Sequence, residues 1–184
     1  MRAVHPLQAA VYALLAGNTL WYLAFGPWTK GLDALAWFVL LMLFALETGN
    51  AAWLERRHAR RLVHAFRFGA AAAIAAAAYG YVEQREWLDV FNVSLWILVV
   101  ALLECELRLQ SLVARRRRLF AAGAALLYTG IATLIPFWAL RGEWFDAYDA
   151  VLWLVAFALI EMDALKLARQ LLAGNTFPAH PNRR

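Results

Sequence analysis

The segment 86-EWLDVFNVSLWILVVALLECEL-107 decides how this chain is built, because it returns later in the sequence. With Glu86 aligned on Glu143, it matches 143-EWFDAYDAVLWLVAFALIEMDA-164, and Glu, Trp, Asp and Leu fall in register. Each copy begins with charged and aromatic residues, continues through a long uncharged run and ends in acids. The pattern predicts two equivalent helices, each forming the second arm of a repeated helical hairpin.

The composition assigns these helices to a membrane. Hydrophobic residues make up 64% of the 184 residues and charged residues 17%, whereas soluble domains have nearer half and a quarter. Residues 6–29 and 119–140 carry no charge. Each run is long enough to cross a hydrocarbon layer of about 30 Å at about 1.5 Å per helical residue. We therefore predict an all-α integral membrane protein.

Six transmembrane helices are expected, arranged as three repeated two-helix hairpins in a single transmembrane domain, residues 1–184. The predicted spans are 6–25, 34–54, 62–81, 90–109, 119–140 and 147–171, and the repeats cover about 6–57, 62–114 and 119–171. The first repeat is the weakest copy, since the alignment that pairs Glu47 with Glu104 misses the pairing of Asp33 with Asp89 by one position. Residues 174–184, with two prolines, are expected to form a short mobile tail.

The basic residues predict the orientation. In a six-span topology nearly all of them fall on one side, and the opposite loops hold one base each: Lys30, Arg85 and Arg141. The positive-inside rule then places both termini in the cytoplasm, for a multi-pass protein of the cell (inner) membrane. The run Arg115, Arg116, Arg117 and Arg118 is expected to contact anionic lipid headgroups. The basic cytoplasmic side accounts for the net charge of +5, so no nucleic-acid partner is predicted.

Acidic residues recur near the start of the second helix of each hairpin. These are Asp33, Asp89 and Asp146, each a few residues after a tryptophan. Asp accepts hydrogen bonds from free N–H groups at a helix N-terminus, and Trp favours the headgroup level. We expect helix caps at the outer face of the membrane. The alternative is an acidic mouth that attracts cations, formed together with nearby glutamates.

A second set of acids lies deeper. Glu47, Glu104 and Glu161 follow the outer aspartates by about four helical turns, which is about 21 Å along a helix. A charged group there costs about 2.5 kcal/mol or more, so three glutamates at one depth predict a shared cation or proton site. Carboxylate oxygens suit protons, alkali ions, Mg²⁺, Ca²⁺ or Mn²⁺. The metal, if one binds, is not specified by the sequence.

The alternative for these glutamates is a set of structural ion pairs. Arg67 enters the third span from the cytoplasmic side, and other bases and acids lie close to the glutamates in the sequence. Together they would form the second shell or the pairs: Arg67, Arg108, Glu106, Asp163 and Lys166. Buried pairs of this kind would lock one hairpin to the next without any transport.

Two functions therefore stay open. The first is a small channel or transporter for protons or metal cations, oligomeric, built on the three glutamates. The second is a non-catalytic accessory subunit of a larger membrane complex, with the acids in structural ion pairs. No catalytic motif occurs, so an enzyme is not predicted. The sequence specifies no cofactor, although a bound cation or lipid is compatible with it. The small side chains of 70-AAAAIAAAA-78 indicate either a central packing helix or a groove for a lipid tail, a pigment or a partner helix.

Overall fold

The computed structural model describes residues 6–49 and 57–174 as helices joined by short turns, with the side chains of residues 47–49, 57, 107, 108, 110 and 160–174 excluded. Over these ranges the chain is all-helical, as predicted. The helices are α1 (Pro6–Phe25), α2 (Trp28–Gly49), α3 (Arg57–Gln84), α4 (Trp87–Arg108), α5 (Gln110–Arg115), α6 (Arg117–Leu140) and α7 (Trp144–Gly174). The predicted tail from residue 175 onward lies outside the described residues.

Four of these helices are long and apolar enough to cross a membrane. The candidate spans are Trp28–Leu46, His58–Gln84, Trp87–Glu106 and Arg117–Leu140. The bundle also exposes large apolar side chains over much of its surface, including Phe68 at 80%, Leu126 at 74% and Leu140 at 85%. Apolar exposure on this scale is unfavourable in water and is normal against lipid. The prediction of a membrane protein with transmembrane helices is supported to this extent.

The second helix begins earlier than its predicted span. The sequence favours a start near residue 34, after Lys30 and Asp33, whereas α2 begins at Trp28. Charged residues were expected to stay outside the apolar span. Here they continue the helix because other helices supply their partners, as described below.

The long helices form a closed ring. Packing runs from α1 to α2, α3, α4, α6 and α7, and α7 packs back on α1. The main apolar core lies inside this ring and contains Leu15, Ala77, Val93, Ile131 and Ala156, none more than 1% exposed. A closed ring gives every long helix two neighbours and leaves an interior that side chains must fill.

Three tight turns lie at one end of the ring, which we call the hairpin end. Two have the same backbone geometry, with a left-handed residue at Arg85 (φ 60°) and at Gly142 (φ 81°). The next amide in each turn bonds five residues back: Glu86 N to Tyr81 O at 3.0 Å, and Glu143 N to Trp138 O at 2.9 Å. This is the Schellman helix ending. The α1–α2 turn closes at Gly26, whose amide bonds Tyr22 O at 2.9 Å.

Close contact between α2 and α3 depends on Gly80. A Cβ there would lie 2.5 Å from Thr29 Cγ2 and 2.8 Å from the Trp28 ring. Thr29 is fully buried, so it has little room to move. The small residues of α3 thus allow the backbones to approach, as a membrane packing helix requires.

Replacing Gly80 by Ala is expected to destabilise the protein by about 1–3 kcal/mol, the usual cost of overpacking a tight contact. Thermal unfolding in detergent measures the change. Gly69→Ala is the matched control on the same helix, because nothing lies within 4 Å of its added Cβ. Equal effects of the two substitutions would contradict the close packing at Gly80.

Candidate functional site

A lysine and two aspartates from three different helices meet inside the hairpin end. Lys30 Nζ of α2 lies 2.7 Å from Asp146 Oδ1 of α7 and 3.5 Å from Asp89 Oδ2 of α4. The side chains of Lys30, Asp89 and Asp146 are 17%, 9% and 16% exposed. One ammonium group therefore bridges two carboxylates in a mostly desolvated position.

Two further aspartates lie one helical turn deeper. Asp33 accepts hydrogen bonds from Trp37 Nε1 at 3.0 Å and from the Tyr81 hydroxyl at 3.4 Å. Asp149 accepts one from Asn18 Nδ2 at 2.8 Å, and Trp153 is its hydrogen-bond partner on the same helix. These donors are neutral, so they orient the two carboxyl groups without balancing a charge.

Helix α1 supplies donors to the two aspartates of α7 in this cluster. Asn18 bonds Asp149, and the Tyr22 hydroxyl bonds Asp146 Oδ1 at 2.9 Å. Asn18 and Tyr22 are one turn apart on α1, which matches the spacing of Asp146 and Asp149 on α7. Asn18 and Tyr22 are 7% and 8% exposed, so this contact is part of the interior.

Three tryptophans close the cluster on its inner side. The ring centroids of Trp37 and Trp96 are 6.3 Å apart, and those of Trp96 and Trp153 are 6.4 Å apart. Trp96 also packs on Phe157 at 4.6 Å. We call Trp37, Trp96 and Trp153 the tryptophan layer; each is at most 8% exposed.

A cavity of about 50 Å³ lies between the acids and the tryptophan layer. We call it the acidic chamber; Lys30, Asp33, Asp89, Asp146 and Asp149 line it. A wider cavity of about 400 Å³, which we call the vestibule, is lined by residues of all three hairpin turns and by Lys30, Tyr22 and Asp146, which also line the chamber. The vestibule and the chamber therefore meet at these three residues.

Two buried polar side-chain atoms have no hydrogen-bond partner among the described residues. They are the acceptor Asn92 Oδ1 and the donor Trp138 Nε1, and both residues line the chamber. Trp138 is 2% exposed. Buried polar groups are nearly always hydrogen-bonded, so two unpartnered atoms on residues of one cavity are unusual.

The aspartates expected as helix caps have other partners in this structure. Asp33 lies in the second turn of α2, past the position of a cap. Asp89 lies in the first turn of α4, where the capping residue is Glu86 and makes no side-chain cap hydrogen bond. Asp146 lies in the first turn of α7. The bonds described above join all three to side chains inside the ring.

The deeper acids are described only in part. Glu104 and Glu106 on α4 and Arg67 on α3 are half-buried, and Glu104 and Arg67 each have an interacting partner. The side chains of Glu47, Arg108, Glu161, Asp163 and Lys166 lie outside the described part of the chain. The meeting of Glu47, Glu104 and Glu161 thus stays a prediction. Arg115, Arg116, Arg117 and Arg118 are exposed at the end opposite the turns.

Sequence reasoning missed Lys30, Asn92 and Asp149, although a repeated pattern contains them. The segments 30-KGLDALAW-37, 89-DVFNVSLW-96 and 146-DAYDAVLW-153 share a charged residue, Asp or Asn three residues later, and Trp four after that. Aligned on their tryptophans, the first two segments pair Lys30 with Asp89 and Asp33 with Asn92. Matching on Asp33 and Asp89 hid this register, because Lys30 stands where the other copies have aspartate.

Among the residues whose side chains are described, no group of three or more His, Cys, Asp or Glu is arranged to hold a metal ion. A scan against protein-family models finds no match, and no curated protein or solved structure is similar enough to be matched. The fold and the site themselves define the class: a helical membrane protein with a buried acidic chamber at one end of its bundle.

Proposed function

We propose that this protein is a small transporter or channel for protons or small cations, and that the acidic chamber forms the outer half of its path. The observation that carries the proposal is the imbalance of charge in the chamber. Four carboxyl groups and one ammonium group line it. The surplus acids need protons or a cation from outside the protein.

The energetic cost of burying surplus acids favours a transport function over a purely structural role. Two like charges about 4 Å apart repel by about 4 kcal/mol at an effective dielectric constant of about 20. Lys30 alone could lock the hairpins with one or two aspartates. Asp33 and Asp149 add formal charge to the same interior without adding a base, and ionisable groups kept within a membrane at such a cost usually serve transport or proton relay.

The path includes a barrier. Beyond the tryptophan layer lies the apolar core, and Glu104 is eight residues past Trp96 on α4, about 12 Å along the helix. An ion that reaches the chamber meets aromatic rings before it meets the deeper acids. This arrangement favours a gated transporter over an open pore, since transport would require the layer to part.

The inner half of the path is proposed to use the mid-depth acids. The alignment that pairs Trp37 with Trp96 also pairs Glu47 with Glu106, and the alignment of Trp96 with Trp153 pairs Glu106 with Asp163. We therefore add Glu106 and Asp163 to the proposed inner site of Glu47, Glu104 and Glu161, with Arg67, Arg108 and Lys166 as neighbouring bases.

The proposed topology is six spans in three hairpins, with both termini in the cytoplasm of a cell (inner) membrane. Helix α1 is long enough to span at 20 residues, but polar residues such as Gln8 and Asn18 lower its hydropathy. The exposed arginines opposite the hairpin end support a cytoplasmic side there, facing anionic headgroups. We further propose that the protein forms an oligomer or belongs to a larger membrane complex.

The second candidate, an accessory subunit with structural ion pairs, is favoured by one observation. Lys30 bridges α2, α4 and α7 and so fastens all three hairpins together at one point. A protein whose only task is to hold a partner complex would use such a contact. Its surplus of acids would then have no role.

Ion flux into proteoliposomes distinguishes the two candidates. Asp33→Asn and Asp149→Asn are expected to reduce flux at least about tenfold, as if the transport barrier rose by about 1.4 kcal/mol, while leaving the protein folded. Glu83→Gln is the control, because Glu83 is exposed at the hairpin end and lines neither cavity. Folded wild-type protein that moves neither protons nor cations would refute transport and leave the accessory role.

A further inference from the structure

Two residues that line the acidic chamber have unpartnered polar atoms, and these point to bound water. Asn92 Oδ1 needs a donor and Trp138 Nε1 needs an acceptor, and water supplies both. The chamber, at about 50 Å³, has room for a few water molecules. Each would find several polar partners, since carboxyl groups of Asp33, Asp89 and Asp149 line the same space.

Lys30 places a fixed positive charge where the vestibule meets the chamber. Its ammonium group already lies between Asp89 and Asp146, the position that a bound cation would take. A metal ion entering the chamber must approach this like charge in a desolvated setting, where repulsion is strong. A proton avoids this approach, because it can be passed along carboxyl groups and waters without a separate ion crossing.

We propose that the proton is the transported species, that water held by Asn92 and Trp138 carries it through the chamber, and that Lys30 excludes metal cations. This inference rests on the transport function proposed above. In each step a hydronium ion on the vestibule side gives its extra proton to an aspartate carboxylate and becomes water. The resulting carboxyl group gives that proton to a water on the inner side, which becomes hydronium and carries the proton onward, so the carboxylate is restored.

Proteoliposomes test the selectivity directly. Proton entry is followed with a pH-sensitive dye under an imposed membrane potential, and cation entry with radioactive sodium and rubidium. Wild-type protein should admit protons while its sodium and rubidium uptake matches that of empty vesicles. Lys30→Gln combined with Asp146→Asn removes the fixed charge together with its nearest acid, and should raise sodium or rubidium uptake at least about tenfold. Lys30→Arg keeps the charge and should keep the selectivity.

The water sites are tested by two further variants. Asn92→Leu removes the acceptor and fills space, and Trp138→Phe removes the donor; each should lower proton flux without admitting sodium or rubidium. Trp144→Phe is the control, because Trp144 is 69% exposed and lines neither cavity. Full proton flux in Asn92→Leu and Trp138→Phe would overturn the water path.

The two proposals fail in different ways. Wild-type protein that moves sodium or rubidium as readily as protons would overturn proton selectivity and leave cation transport standing. The same holds if the protein with both Lys30→Gln and Asp146→Asn folds and stays proton-selective, because Lys30 would then not be the excluding charge. Folded protein that moves none of the three species would overturn transport itself, and the inference with it.

Discussion

Replacing Lys30 by Met is expected to lower the free energy of unfolding by about 3–5 kcal/mol, the usual cost of stranding a buried charge partner. Replacing any single aspartate of the acidic chamber by Asn should cost far less. The reason is the ratio of one base to four acids. Loss of Lys30 leaves several carboxylates without a counter-charge, whereas loss of one acid relieves repulsion among the rest. Thermal and chemical unfolding in detergent measure both effects.

Two comparisons check this asymmetry. Asp146→Asn keeps an oxygen that can accept the Tyr22 hydroxyl bond, and it leaves Lys30 with Asp89. A triple variant that combines Lys30→Met with Asp89→Asn and Asp146→Asn removes the base together with both bridged acids, and it should recover most of the lost stability. If Lys30→Met and Asp146→Asn proved equally harmful, the lysine would belong to a simple pair, as in a structural scaffold.

The sequence predicts the ends of two helices closely, because each of them coincides with a long uncharged run. The first predicted span, residues 6–25, has the bounds of α1, and the ends of the fifth differ from α6 by two residues at most. The length of an uncharged run is enough to predict these limits. It failed at α2, where Lys30 and Asp33 lie inside the helix and the predicted start is six residues late.

The acidic chamber could be predicted only in part. The sequence shows the recurrence of Asp33, Asp89 and Asp146, and it offers an acidic mouth as the alternative to helix caps. It does not show the hydrogen-bond partners of these acids, because bonds such as that from Asn18 to Asp149 join residues 131 positions apart. The spacing of residues along one helix does not predict contacts across a closed ring of helices.

Lys30 shows a different limit. By itself it was one base in a loop, and a count of basic residues for orientation gave it no further role. Its meaning depends on register, since Lys30 occupies the position that Asp89 and Asp146 hold in the later copies. A search for identical residues misses a repeat in which one copy carries a charge of opposite sign. The tryptophan that ends each of the three segments still marks the register.

Replacing Trp96 by Ala is expected to open a leak through the bundle and to destabilise it by about 3–5 kcal/mol, the range for removing a large buried aromatic side chain. Trp96 is the central member of the tryptophan layer, since it contacts Trp37, Trp153 and Phe157. Without its ring the acidic chamber would extend toward the core. Passive proton flux should rise at least about tenfold, which requires the barrier to fall by only about 1.4 kcal/mol.

The size of the side chain, and not its aromatic character alone, should set the leak. Trp96→Phe keeps a ring in the layer and is expected to leak much less than Trp96→Ala. Trp144→Ala supplies the control for loss of a tryptophan at the surface, because Trp144 is 69% exposed and lies outside the layer. Dye-loaded proteoliposomes, checked for equal protein incorporation, give the flux of each variant. A Trp96→Ala protein that is folded and as tight as the wild type would place the barrier elsewhere, deeper among the apolar residues between the layer and Glu104.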